Sequence, residues 1–139
     1  MKITIGCDHA GVEYKSKIVE FLEKENHEVL DVGTFGEESV DYPDYAHLVA
    51  EEVLVGADFG VLICGSGNGV SMAANKHKGI RAALCWDEEI TKLARQHNDA
   101  NIISIPARFM SLEKSIQIIT TFLTEPFEGG RHQRRVKKI

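Results

Sequence analysis

The chain has 139 residues and a formal charge of −5, from 16 Lys and Arg against 21 Asp and Glu. That length suits one domain, able to bury about two-thirds of its unfolded surface without a disulfide or metal staple. With 43% hydrophobic and 27% charged residues, it is neither disordered nor collagen-like, and its net acidity argues against a nucleic-acid partner. The average conceals a split. Arg131, Arg134, Arg135, Lys137 and Lys138 put five basic side chains and no acid in the last nine residues. The first 130 residues therefore hold 11 basic against 21 acidic side chains, a net −10. No segment approaches the ~18 apolar residues of a membrane span. The first residues turn polar at Asp8-His9, unlike a signal peptide. Cys7, Cys64 and Cys85 are odd in number and widely spaced, with no CxxC or zinc pattern. They read as free thiols of a reducing, cytoplasmic compartment.

Short apolar runs alternate with longer helical patterns. Lys2–Gly6 reads as a strand, followed by a helix over Val12–Lys24 with Ile18 and Leu22 on one stripe. Glu28–Val32 reads as the second strand. Asp41-Tyr42-Pro43-Asp44-Tyr45 is a turn opening a helix, whose pattern covers Asp44–Leu54. Gly60–Cys64 is apolar without alternation, as a parallel strand covered on both faces should be. A short helix over Gly69–Asn75 follows a glycine loop, and Arg81–Trp86 reads as the fourth strand. Asp87 caps a helix over Glu88–His97, with Glu88 and Glu89 where the helix dipole favours acids. Asn101–Ile105 is the fifth strand. The last long helix, Leu112–Leu123, follows Ser111. This alternation predicts an α/β fold, a doubly wound, Rossmann-like sheet of five parallel strands in a three-layer αβα sandwich. With the flavodoxin-type order 2-1-3-4-5, ligands bind in the crevice between the loops after strands one and three.

Those two loops carry the most chemistry. Strand one runs into Gly6-Cys7-Asp8-His9-Ala10-Gly11. Asp8 and His9 can bind a hydroxyl and an anion or supply acid–base chemistry, although capping the next helix is an equal use for Asp8. Strand three runs into Cys64-Gly65-Ser66-Gly67-Asn68-Gly69. Its three glycines admit a ligand close to the backbone and turn several N–H groups into one nest for an oxyanion. The same field should lower the pKa of Cys64, whose other reading is a small apolar residue ending a strand. Neither G-x-G-x-x-G nor Gly-Lys-Ser/Thr is present, and Val70 stands where a cysteine phosphatase needs arginine. His97 ends the fourth helix, where a histidine is favoured as the cation and can donate a proton, or merely cap carbonyls. In this topology strands end at the top and helices at the bottom, ~17–20 Å apart. His97 therefore cannot join Cys64 of its own chain, and a shared site needs a second subunit. Arg108, after strand five, is back at the top. Arg131 and Arg135, four apart, share a face if their segment is helical and suit bidentate phosphate binding. Tyr42 is placed to flank a sugar ring or to fill a turn.

Five segments, GCDHAG, DYPDYA, ICGSGNGVSMAANK, RQHNDAN and EGGRHQRRV, fall in order between Gly6 and Val136. Together they resemble the ribose-5-phosphate isomerase B family, part of the RpiB/LacA/LacB sugar-phosphate isomerases. The resemblance implies a cofactor-free, metal-free aldose–ketose isomerase acting on ribose 5-phosphate and ribulose 5-phosphate through a cis-enediolate. It implies Cys64 as the proton-moving base and His97 in ring opening. Gly65, Ser66, Gly67, Asn68 and Gly69 would hold the enediolate oxygens, with Asp8 on a hydroxyl and Asn98 on the substrate. His9, Arg108, Arg131 and Arg135 would take the phosphate. It also implies a homodimer, or a tetramer, with active sites shared between subunits. The basic tail from about residue 124 would then reach the partner. One family branch uses a glutamate after the glycine loop in place of the cysteine. Val70 holds that position here, so the thiol is the consistent base. Ser66 stands where some members have threonine. A hexose-6-phosphate isomerase of the allose or galactose type is the alternative, followed by a non-catalytic sugar-phosphate-binding module.

Overall fold

The computed structural model describes residues 1–139. In chain order the elements are β1 (Lys2–Cys7), α1 (Val12–Lys24), β2 (Glu28–Asp31), α2 (Tyr42–Val55), β3 (Phe59–Cys64) and α3 (Asn68–Ala74). They continue with β4 (Ala82–Leu84), α4 (Glu88–Asn98), β5 (Ile102–Pro106), α5 (Leu112–Thr124) and α6 (Arg131–Val136). No helix is long and apolar enough to cross a membrane.

All five strands are parallel, and β1 lies between β2 and β3 as expected. The full order is β2-β1-β3-β5-β4, so the last two strands are exchanged relative to the predicted 2-1-3-4-5. Composition explains the exchange. Ile102-Ile103-Ser104-Ile105-Pro106 is buried throughout and takes the interior place beside β3. Ala82-Ala83-Leu84 offers small side chains, is only half-buried, and takes the edge. It is also shorter than the predicted Arg81–Trp86. The edge is partly sealed by a side chain. Asn75 Nδ2 donates to the Ala82 carbonyl at 2.9 Å, and the Ala82 N–H donates to Asn75 Oδ1 at 2.7 Å.

The strand order decides which face each helix covers. A right-handed return from β4 to β5 runs in the same sense as the step from β1 to β2. It therefore puts α4 with α1 and α5. The larger core lies on that face, where Ile18, Leu22, Ala94, Ile118, Ile119 and Phe122 pack on the odd-facing residues of β1, β3 and β5. The smaller core lies under α2 and α3, with Ala46, Val49, Ala50, Val70 and Ala74 on Leu62 and Ile102. Helix α2 starts at Tyr42, two residues before the predicted Asp44, because Pro43 in the first turn is compatible with helix. Lys15 of α1 reaches Asp31 at the end of β2 at 2.5 Å, a largely buried ion pair.

Gly60 lets α2 lie close to the sheet. A Cβ there would stand 2.7 Å from Val49 Cγ1 and 2.9 Å from Ile102 Cγ1. Gly60→Ala is expected to destabilise the chain by ~1–3 kcal/mol through overpacking, read as a lower midpoint in urea denaturation.

Candidate active site

The pairing of β1 with β3 brings their carboxyl ends together, with Cys7 opposite Ile63. The Asp8 N–H continues the ladder by donating to the Ile63 carbonyl at 3.2 Å. Asp8 is thereby fixed beside the start of the glycine loop. Its Oδ1 accepts from the Ala10 N–H at 2.9 Å and caps a short 3-10 turn over His9–Gly11. The capping use and the placement at the crevice are thus compatible. His9 is held by its neighbour loop, with Nδ1 accepting from the Val40 N–H at 3.4 Å.

Cys64 ends β3 and is 7% exposed. Past it the chain turns at Gly67, whose φ of 74° is left-handed and whose Cβ would meet Leu84 Cδ1 at 2.5 Å. Both facts call for glycine. The turn aims the Ser66 and Gly67 N–H groups back at the sulfur. These donors favour the thiolate, as the sequence suggested, but the net effect is opposite to the predicted lowering. Burial pushes the Cys64 thiol above its ordinary 9.0, and the nearby Asp8 carboxylate adds to the rise. Desolvation of a charge outweighs two backbone dipoles here. Cys7 and Cys85 are inert by the same physics, pushed by burial to about 12 and about 11.

Two more of the selected side chains close on this loop. A Cβ at Gly65 would lie 3.1 Å from Arg108 Nε, so the guanidinium stem rests directly on the loop backbone. The Arg108 N–H donates to the Gly65 carbonyl at 3.1 Å, fixing the β5 loop against the nest. A Cβ at Gly69 would meet the Tyr42 ring at 2.5 Å. Asp8, His9, Tyr42, Cys64, residues 65–69 and Arg108 therefore form one group at the carboxyl edge of the sheet. No cavity of the chain is lined by Cys64 or the nest. The largest, about 300 Å³, lies at the β4 edge beside Asn98 and Arg81.

His97, Asn98, Arg131 and Arg135 form a second group at the opposite edge. Cys64 is in register with Pro106 at the end of β5, whereas α4 leads into its beginning at Ile102. A buried arginine organises this end. Arg95 Nη1 donates to Asp99 Oδ1 at 2.9 Å and to the Ala100 carbonyl at 2.7 Å, and Nε donates to the Glu125 carbonyl at 3.2 Å. Arg81 Nε donates to the Asn98 and Asp99 carbonyls at the end of α4. The Glu128 N–H donates to the Gln96 carbonyl at 3.1 Å, so the tail folds back onto α4. Arg131 and Arg135 are exposed on α6, one helical turn apart.

His132, which the sequence reading left without a role, is 6% exposed and stacks on His97 with ring centroids 4.1 Å apart and planes at 9°. Burial, followed by repulsion from His97 and Arg131, pushes its pKa below the ordinary histidine value. The contact of His132 with Glu128 is not a helical pair, because Glu128 lies in the loop before α6 and Gly129 and Gly130 both have positive φ, so the sequence spacing gave no signal for it.

A ribose/galactose isomerase family model matches residues 3–139. The ribose-5-phosphate isomerase B of Escherichia coli K12 is 47% identical over 139 residues, covering 99% of this chain and 93% of its own length. The structure of ribose-5-phosphate isomerase B from Clostridium thermocellum superimposes with a TM-score of 0.98 at 50% identity, covering 99% and 94%. The enzyme from Mycoplasma genitalium, solved with bound ribulose 5-phosphate, gives 0.94 at 46% identity, covering 99% and 92%.

Alkylation of Cys64 by iodoacetamide, followed by mass spectrometry across pH, reports its ionisation. The rate tracks the thiolate, so it should still be climbing at neutral pH, with a midpoint above 9.0. A plateau already reached at neutral pH would mean that the nest outweighs burial.

Proposed function

The chain belongs to the ribose/galactose isomerase family, and from that premise we propose that it interconverts ribose 5-phosphate and ribulose 5-phosphate. One observation carries the reading: a thiol, a backbone nest, Asp8 and Arg108 converge at the carboxyl ends of β1, β3 and β5. Proton transfer beside a carbonyl needs a base and a place for negative charge. Cys64 is the base that takes the proton from C2 and returns it to C1. Donors of residues 65–69 meet the developing enediolate oxygens, where preorganised N–H groups are worth most. Only the thiolate reacts, and burial works against that form in the free chain. Asp8 binds a sugar hydroxyl, and Tyr42 flanks the ring.

The furanose must open before the carbonyl exists. His97 serves as the proton donor to the ring oxygen, and Asn98 holds the substrate beside it. His9, Arg108, Arg131 and Arg135 clamp the phosphate, which orients the reacting carbons from a distance. This set functions only in a homodimer, where the lower edge of one subunit meets the upper edge of the other. Three facts support that arrangement. The two groups lie at opposite ends of the sheet. No cavity of the chain closes over Cys64. Met72 and Trp86 are 65% and 54% exposed, apolar surface that a partner subunit would cover.

In heavy water, turnover of ribose 5-phosphate should place solvent deuterium on the sugar. Cys64→Ala should lower kcat by ~10²–10⁴, the scale of a lost general base. Full activity in that variant would exclude the thiol, and faster turnover of a hexose 6-phosphate in a substrate panel would reassign the sugar. Mixing inactive Cys64→Ala and His97→Asn subunits should restore activity, because one hybrid site keeps both groups. Confirmed subunit exchange without recovery would place the complete site in one chain.

A further inference from the structure

One cluster at the lower edge joins His97 to two residues, Glu128 and His132, that the proposed isomerase chemistry does not use. His97 Nε2 stands 3.9 Å from Glu128 Oε2, and His132 Nε2 stands 3.6 Å from the same oxygen. A donor atom from each of the three residues lies within 4.8 Å of the other two. Zinc bonds of ~2.0–2.2 Å hold two ligands of a tetrahedral ion roughly 3.4 Å apart. The gaps to Glu128 therefore need to close by only about half an ångström or less.

The scaffold suits such a contraction. His132 is buried and fixed by packing, and the Glu128 backbone is tied to α4 through the Gln96 carbonyl. The Glu128 carboxylate is half-exposed and open to an ion arriving from solvent. The two imidazoles are nearly parallel, with both Nε2 atoms turned to the same Glu128 oxygen. A rotation of the half-buried His97 ring makes them converge. Two imidazoles and one carboxylate suit zinc, copper, nickel or cobalt, whereas magnesium and calcium prefer all-oxygen sites. Three protein ligands also leave a fourth position for water.

We propose that His97, Glu128 and His132 bind a divalent transition-metal ion of the zinc type, and that the bound ion inhibits the enzyme by occupying His97. The inhibition rests on the ring-opening role proposed for His97, while the binding does not. With Nε2 bound to the ion, His97 has no proton to give the ring oxygen there. The thiol and nest at the other edge are untouched.

Cobalt(II) is the probe, because its visible bands report coordination directly. The full chain carrying Cys64→Ala removes the competing reactive thiol. It should bind one cobalt ion per chain, with bands of four-coordinate nitrogen and oxygen ligation. Adding Glu128→Gln or His132→Gln should weaken binding by about tenfold or more, since loss of even a supporting group costs that much. Glu128 is exposed, so its variant keeps the test open if His132→Gln fails to fold. Unchanged affinity in Glu128→Gln, or loss of all binding in Cys64→Ala, overturns the site. Zinc should also slow turnover of ribose 5-phosphate by the otherwise native chain, reversibly by chelator and at about tenfold higher concentration in Glu128→Gln. Zinc binding at the cluster without slower turnover overturns the inhibition. Absence of turnover in metal-free protein counts against the isomerase reading, and the cobalt bands then judge the site alone.

Discussion

The pairing of β1 with β3 is the contact on which the molecule depends. The connections from these strands leave the centre of the sheet in opposite directions, so the loops after them part at its carboxyl edge. Their register sets Asp8 against Ile63 and hence beside Cys64. A slip by one residue would turn every buried side chain of β1 to the other core. It would also carry Asp8 away from the thiol. Packing and chemistry are specified by the same ladder.

The lower edge is built differently, around charge rather than apolar pairing. Arg95 lies beneath the Phe59 ring at 4.9 Å and ties Asp99 and Ala100, just past α4, to Glu125 at the end of α5. A guanidinium is the suitable group, because its planar fork satisfies several acceptors while remaining charged. Its partners are mostly carbonyls at the ends of helices, where the helix dipoles are negative. The arrangement fixes the end of α4 and the entry to α6 relative to each other. His97 and the basic tail are thus members of one rigid assembly, although α5 separates them in the chain.

Much of this was legible in the sequence. Apolar runs located all five strands, and the glycine loop after β3 marked the crevice. The exchange of β4 and β5 was not predicted from the default strand order, yet Ala82-Ala83-Leu84 against Ile102-Ile103 held the information. The more apolar strand wins the interior position. The direction of the Cys64 shift was not legible, because it is a contest between two dipoles and burial, and burial requires coordinates. His132 was passed over for a related reason. Flanking arginines drew attention to surface charge, while its stacking on His97 depends on the fold-back of the tail. Arg95 and Asp99 are spaced as a helical ion pair, but the backbone carbonyls that Arg81 and Arg95 also bind carry no side-chain signal.

The seal on β4 bears on how copies of this chain can associate. An open strand edge invites another strand, and such growth has no natural end. Here the side-chain amide of Asn75 presents the donor and acceptor of a peptide unit to Ala82 and uses up both its groups. The edge behaves as though a single-residue sixth strand were already in place. Recognition on this flank is therefore left to the shapes and charges of side chains, which can be matched to one partner and can stop at two.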